Sequence, residues 1–146
     1  MSRRRDPRLH GLSHEHHHAL VLARRARLGE ERLTEEAERE ALWRSVQDEF
    51  ASSILPHFEV EEALMLPQLR ALGQVEEEEL VAQTLREHAE LKELIASRAP
   101  RLREFGEALF AHVRFEESVL FDRAEERLSD DELAALERAR PVAERG

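Results

Sequence analysis

Cysteine is missing from this 146-residue chain, which excludes disulfides, thiolate metal sites and cysteine nucleophiles at once. Any bound metal must therefore be held by nitrogen and oxygen. Tyrosine is missing too, and there are only five glycines and five prolines. With Ala, Leu, Glu and Arg abundant, that composition predicts an all-α protein. Apolar runs never exceed a few residues, and Arg3 to Arg5 are not followed by an apolar segment. Neither a signal peptide nor a membrane span is expected, and the chain reads as soluble and cytoplasmic, with no membrane partner. Basic charge is also short, 22 residues against 32 acidic for a formal net charge of −10. Nucleic-acid binders normally show a basic face, so no nucleic-acid partner is expected. The basic clusters at Arg3 to Arg8 and Arg24 to Arg27 read as solvated surface.

What the chain does have is a repeated pairing of histidine with glutamate. His57 is followed four residues on by Glu61, and His112 by Glu116. Residues four apart share a helix face about 5–6 Å apart, so each pair can aim an imidazole nitrogen and a carboxylate at one metal cluster. One such pair arises easily in a chain with 37% charged residues. Two of them in matching apolar surroundings are far less accidental.

Residues 1 to 11 read as a flexible basic arm, containing Pro7 and Gly11. Ser13 is a candidate N-cap for a first helix over about 14–28, which Gly29 can end. Thr34 is a candidate cap for the second. Its inward stripe is Val46, Phe50, Ser53, His57, Glu61 and Leu64, with Pro56 expected to bend it just before His57. Pro67 and Gly73 are expected to close it. A third helix starts near Gln74 with the stripe Val81, Leu85, His88, Leu91 and Ile95. Pro100 suits the first position of a fourth, whose stripe is Phe105, Leu109, His112, Glu116, Val119 and Arg123. Ser129 to Glu132 have the form of a capping box, opening a short helix to about Arg140. Its apolar side (Leu133, Leu136, Ala139) is expected to cover the bundle rather than a second copy of the chain. Short loops favour antiparallel neighbours. The expected architecture is therefore an up-down-up-down four-helix bundle over 12–128, followed by a short C-terminal helix and tail over 129–146.

Counting from the loops puts His57, His88 and His112 at nearly one level. His16 fits less well, and a long loop or a second helix overhanging the first must absorb the difference. Each of the four stripes is then interrupted by a histidine at comparable height. Burying Glu61 and Glu116 costs a great deal unless they are paired or bound to metal, and no Arg or Lys occupies a neighbouring stripe position. Metal is the economical explanation, with His16, His57, Glu61, His88, His112 and Glu116 as ligands. Nitrogen and carboxylate donors suit iron or manganese, with zinc as a further option, and two shared carboxylates suggest two metals. His14, His17 and His18 read as solvated, with His14 the substitute if His16 faces outward. Glu59, Glu62 and Glu117 read as surface or as outer support. Trp43, Phe50, Phe105, Phe115 and Met65 read as core.

On these residues the chain resembles the hemerythrin-like, HHE cation-binding family, in its single-domain bacterial form, over roughly residues 12–128. The matching signatures are Leu12 to His16 with Leu20, His57-Phe58 through Glu61-Glu62, Glu87 to Leu91, and His112 through Glu116-Glu117 with Leu120-Phe121. The resemblance implies a non-haem di-iron centre, carboxylate- and oxo-bridged, with Glu61 and Glu116 bridging and the histidines as terminal ligands. The third helix departs from the oxygen carriers, which have two histidines four apart there. Here His88 is flanked at that spacing by Thr84 and Lys92. The fourth helix has Glu at offset four in place of Asp at offset five. That leaves more open coordination positions and argues against simple reversible oxygen carriage. The expected activity is binding, sensing or reacting with dioxygen, peroxide or nitric oxide, up to weak oxidase or peroxidase turnover, in a monomer or homodimer. The alternatives are iron or zinc buffering without redox chemistry, and an unmetallated helical interaction bundle.

Overall fold

Apolar residues recurring every third or fourth position through Ala-, Glu- and Arg-rich sequence form long helices in a computed structural model that describes residues 4–140. Helix α1 is His10–Arg32. Helix α2 covers 36–70 and joins Glu36–Glu49, Leu55–Val60 and Leu66–Arg70 through two widened π-turns, Phe50–Ile54 and Glu61–Met65. Helix α3 is Val75–Ile95. Helix α4 covers 102–127, with a third π-turn, Glu116–Leu120, between Leu102–Phe115 and Phe121–Arg127. Helix α5 is Asp130–Ala139. Helices α1 to α4 are neighbours in sequence order and α1 lies along α4, closing an all-α four-helix bundle with an extra C-terminal helix that packs on Pro7–Leu9 and Glu61–Met65.

The capping box at Ser129 and Glu132 forms, and Gln74 is the N-cap of α3. Several boundaries move. Helix α1 begins at His10, because Asp6 caps a 3-10 turn over Pro7–Leu9 that leads straight into it. Ser13 is therefore inside the helix, and its hydroxyl donates to Glu117 instead. The helix also passes Gly29 to Arg32. Glu35, rather than Thr34, precedes α2, and Pro100 lies just ahead of the N-cap Arg101. Pro67 does not end α2; Gly73, at φ 70°, makes the turn.

Both Leu-Pro steps come directly after a π-turn. Proline has no N–H to donate and its ring crowds the carbonyl one turn back, and the wider turn before it makes room. Where a bend was expected at Pro56, Leu55 N–H reaches back five residues to Phe50. Each π-turn adds a residue and rotates the next stretch of helix about its axis. Ile54 is buried where Ser53 was expected, and Met65 is buried more fully than Leu64. Likewise Leu120 and Ala124 face inward in place of Val119 and Arg123, and Val119 is 42% exposed.

Residues 1–3 of the arm lie outside the described residues, and the rest of it makes contacts with the bundle. Arg5 pairs with Asp122 and Glu125 and donates to the Glu117 carbonyl, and Leu9 is fully buried. These contacts clamp the segment to α4. Leu133 and Leu136 bury α5 against the bundle. The apolar interior is two clusters. One surrounds Trp43, Phe50, Phe58 and Phe105; the other surrounds Leu9, Met65, Leu69, Phe121 and Leu136. A polar layer separates them.

Helices α1 and α4 approach closely at Gly106, where a Cβ would stand 2.8 Å from the Ala23 carbonyl oxygen and 2.6 Å from Arg27 Cγ. Backbone cannot yield as a side chain can. Gly106→Ala should destabilise the protein by about 1–3 kcal/mol, read as a lower urea midpoint at unchanged slope.

Candidate metal centre

The polar layer consists of one inward histidine from each helix of the bundle and two glutamates. His16 comes from α1, His57 and Glu61 from α2, His88 from α3, and His112 and Glu116 from α4. All six are at most 4% exposed. His14, His17 and His18 point to solvent, as does Glu59. His16 reaches the level of His57 because the overhang of α2 is real: Leu42 packs beside Gly29, well inside α2. The second π-turn of α2 and the π-turn of α4 begin at Glu61 and Glu116 themselves, a placement that π-turns often take at functional sites.

Two four-residue groups result, each with its donor atoms within 4.8 Å of one another: His16, His57, Glu61 and Glu116, then Glu61, His88, His112 and Glu116. The two carboxylates belong to both. Glu116 Oε1 lies 2.7 Å from His16 Nε2 and 3.5 Å from His57 Nε2, and its Oε2 lies 2.8 Å from His112 Nε2 and 3.3 Å from His88 Nε2. Glu61 spans His57 at 2.9 Å and His88 at 3.1 Å.

Behind each imidazole stands a further glutamate, and the four form a ring. Glu15 of α1 accepts from His57 Nδ1 at 2.9 Å, and Glu62 of α2 from His88 at 2.6 Å. Glu87 of α3 accepts from His112 at 2.7 Å, and Glu117 of α4 from His16 at 2.8 Å. Each helix thus supports the histidine of the next. A carboxylate only accepts, so every Nδ1 carries the proton and every neutral ring turns the Nε2 lone pair inward. Such outer partners fix ring orientation and basicity in metal sites. Phe58 stacks on His88 (3.7 Å, 11°) and Phe121 on His16 (4.8 Å, 25°), holding the rings further. Glu15 and Glu87 were not singled out from sequence, although each directly precedes a site histidine.

Charge at the layer is set by burial working against close partners. Burial alone would lower the histidine pKa values, but the glutamates outweigh it. Glu116 and Glu61 bring His88 to about 9, and Glu116 with Glu87 brings His112 to about 10. His16 and His57 are raised in the same way. Burial would raise Glu116, yet the surrounding imidazoles hold it well below the usual carboxylate range. Glu15, Glu87 and Glu117 are lowered against their burial by the histidines they support.

Hydrogen bonding does not exhaust these groups. Both oxygens of Glu61 and Nε2 of His112 are buried without a hydrogen bond, despite neighbours at 2.8–3.1 Å. His16 and His57 face each other Nε2 to Nε2 at 3.1 Å. Donor atoms that converge and still leave Glu61 and His112 unsatisfied are what a shared cation requires. The other buried acid, Glu77, shows the usual alternative: Arg127 at 3.0 Å and Arg123 at 3.5 Å. Among the described residues the ion pairs of Glu61 and Glu116 are all with histidine.

A cavity of about 260 Å³ opens between α1, α2 and α4. It runs from exposed His14, His18 and Ser52 to buried His16, His57 and Glu116. No described helix is long and apolar enough to cross a membrane.

A helical bundle enclosing this layer is of the class that binds metal between its helices. The chain belongs to the hemerythrin family: the hemerythrin HHE cation-binding domain matches residues 8–124. No curated protein and no solved structure matches the chain.

Proposed function

We propose that the layer holds two metal ions, iron in the working protein, and that this cytoplasmic protein binds, senses or reacts with a small oxidant such as dioxygen, peroxide or nitric oxide. The observation that carries the two-ion reading is the sharing of Glu61 and Glu116 by two separate donor groups. His16 and His57 would serve one ion and His88 and His112 the other, with both carboxylates common to the pair. Four imidazoles and two carboxylates without thiolate suit iron, manganese or zinc. Iron bound there would supply the redox couple and the open positions at which an oxidant binds.

The chain's own contribution is orientation and access. The ring of Glu15, Glu62, Glu87 and Glu117 keeps each imidazole on its inward tautomer. The two aromatic stacks and both apolar clusters keep bulk water out. The cavity admits a diatomic molecule or peroxide and is below the size of a drug-like pocket.

Metal analysis on anaerobically purified protein, with optical spectra before and after air, tests the reading. Two irons per chain and a new absorption band in air, both lost in His57→Ala, are expected. Zinc, or no metal from iron-replete cells, would replace oxidant chemistry with metal buffering or an unmetallated bundle. A reversible spectrum would mark a carrier or sensor; steady consumption of peroxide or ferrous iron would mark an enzyme.

The outer ring makes a separate prediction. Glu87→Gln keeps the shape but weakens the hold on His112, and should lower metal affinity by about 10–100-fold. Competition with a chromophoric chelator measures it. Affinity equal to that of the parent chain would show the ring to be incidental.

A further inference from the structure

Four histidines of α1 stay outside the metal layer, and they are not equivalent: His10, at the start of the helix, is bonded to the Arg5 carbonyl. His14, His17 and His18 are all exposed, but only His14 and His18 line the cavity that leads to His16, His57 and Glu116. They are four residues apart, with ring centroids separated by 5.5 Å. Two histidines at that helical spacing are a recurrent chelating pair for a transition metal. We infer that His14 and His18 form an entry site that takes a divalent transition-metal cation from solution and passes it through the cavity to the buried layer. The inference rests on the metal reading above.

A hydrated cation cannot fall unaided into a dry layer of imidazoles, because its waters must leave as new donors arrive. Two imidazoles at the rim replace the first of those waters. They leave the remaining positions hydrated, so the ion is held loosely and can move on. The inner end of the cavity then offers His57, His16 and the shared carboxylate of Glu116. Every step is ligand exchange: water leaves, nitrogen or oxygen takes its place, and the metal keeps its oxidation state. Arg140 also lines the cavity, but it does not bar a cation. Its guanidinium is engaged by both oxygens of Glu15, one through Nε at 3.1 Å.

The test is loading kinetics on the full chain stripped of metal, with Co(II) as the probe and its visible absorption as the readout. His14→Ala/His18→Ala should load about tenfold more slowly at low micromolar Co(II), because the transfer from a prebound ion is no longer intramolecular. At saturation its buried layer should hold as much Co(II) as that of the parent chain, counted after gel filtration has removed weakly held metal. His17→Ala, altered on the same exposed helix but off the cavity, should load at the parental rate. Protein with its buried layer already filled should bind one further, weaker Co(II), lost in the double variant. An unchanged loading rate in the double variant overturns the entry site alone, as does equal slowing in His17→Ala. Fewer tightly held ions after gel filtration also overturn it, by making the pair part of the buried centre. A parent chain that takes up no Co(II) overturns the metal reading and the entry site with it.

Discussion

Glu116→Gln should empty the centre. Glutamine has the size and shape of glutamate, so the helix and both apolar clusters stay in place. The charge that all four inward histidines face is gone. Glu116 meets His16 and His57 through one oxygen and His112 and His88 through the other. An amide NH2 in one of those places points two donor hydrogens where metal donors are needed. Losing an outer partner weakens metal binding by about 10–100-fold, and losing the shared inner carboxylate should exceed about 100-fold. Elemental analysis after gel filtration should find metal well below one equivalent, with the far-ultraviolet circular dichroism of the parent. Glu77→Gln is the internal control. That acid is equally buried but paired with Arg123 and Arg127. Its loss leaves those arginines unpartnered, so the protein should weaken toward urea while keeping its metal. Full metal retention in Glu116→Gln would sink the shared-carboxylate reading.

Metal removal should lower thermal stability by a large margin. The layer places two carboxylates and four imidazoles in an interior that otherwise rewards apolar groups, and buried charge is expensive unless compensated. A ligand present at about 1,000 times its dissociation constant contributes about 4 kcal/mol to the folded state. At roughly 2–4 °C per kcal/mol for a chain somewhat longer than this one, stripping the metal should lower Tm by about 10–15 °C. Scanning calorimetry with and without chelator measures the shift. Readdition of the metal should restore it, and the same chelator should leave the Tm of Glu116→Gln unchanged. Equal melting temperatures for stripped and loaded parent protein would count against a metal that the fold depends on.

The six inward residues were legible because helical spacing and burial act together: a histidine on an apolar stripe, with glutamate one turn away, states its own address. Picking His16 over His14 needed only the face shared with Leu12 and Ala19. The outer ring was not legible in the same way. Glu15 and Glu87 lie one residue from a site histidine, which on a helix is a different face. What that face meets depends on which helix stands beside it. The π-turns were also hidden. Leu55-Pro56 and Leu66-Pro67 hint at two of them, but nothing in Glu116 to Leu120 announces the third. Extrapolating the stripe at an unbroken helical period therefore placed Val119 and Arg123 inward when Leu120 and Ala124 are. The anchoring of Arg5 was hidden because an arginine-rich stretch near proline looks solvated until Asp122 and Glu125 of α4 are seen beside it.

The division of the apolar interior bears on cooperativity. Each cluster is completed by a different set of loops, and among the described residues the imidazole–carboxylate layer lies between them. Such an arrangement has the makings of two folding units joined at a waist. One half contains the α1–α2 and α3–α4 turns, and the other the N-terminal segment, the α2–α3 turn and α5. Metal held by both donor groups, which together draw on every helix of the bundle at that level, would join the halves at their weakest plane. In the loaded protein the two ends should open and close as one body, and without it each end breathes on its own.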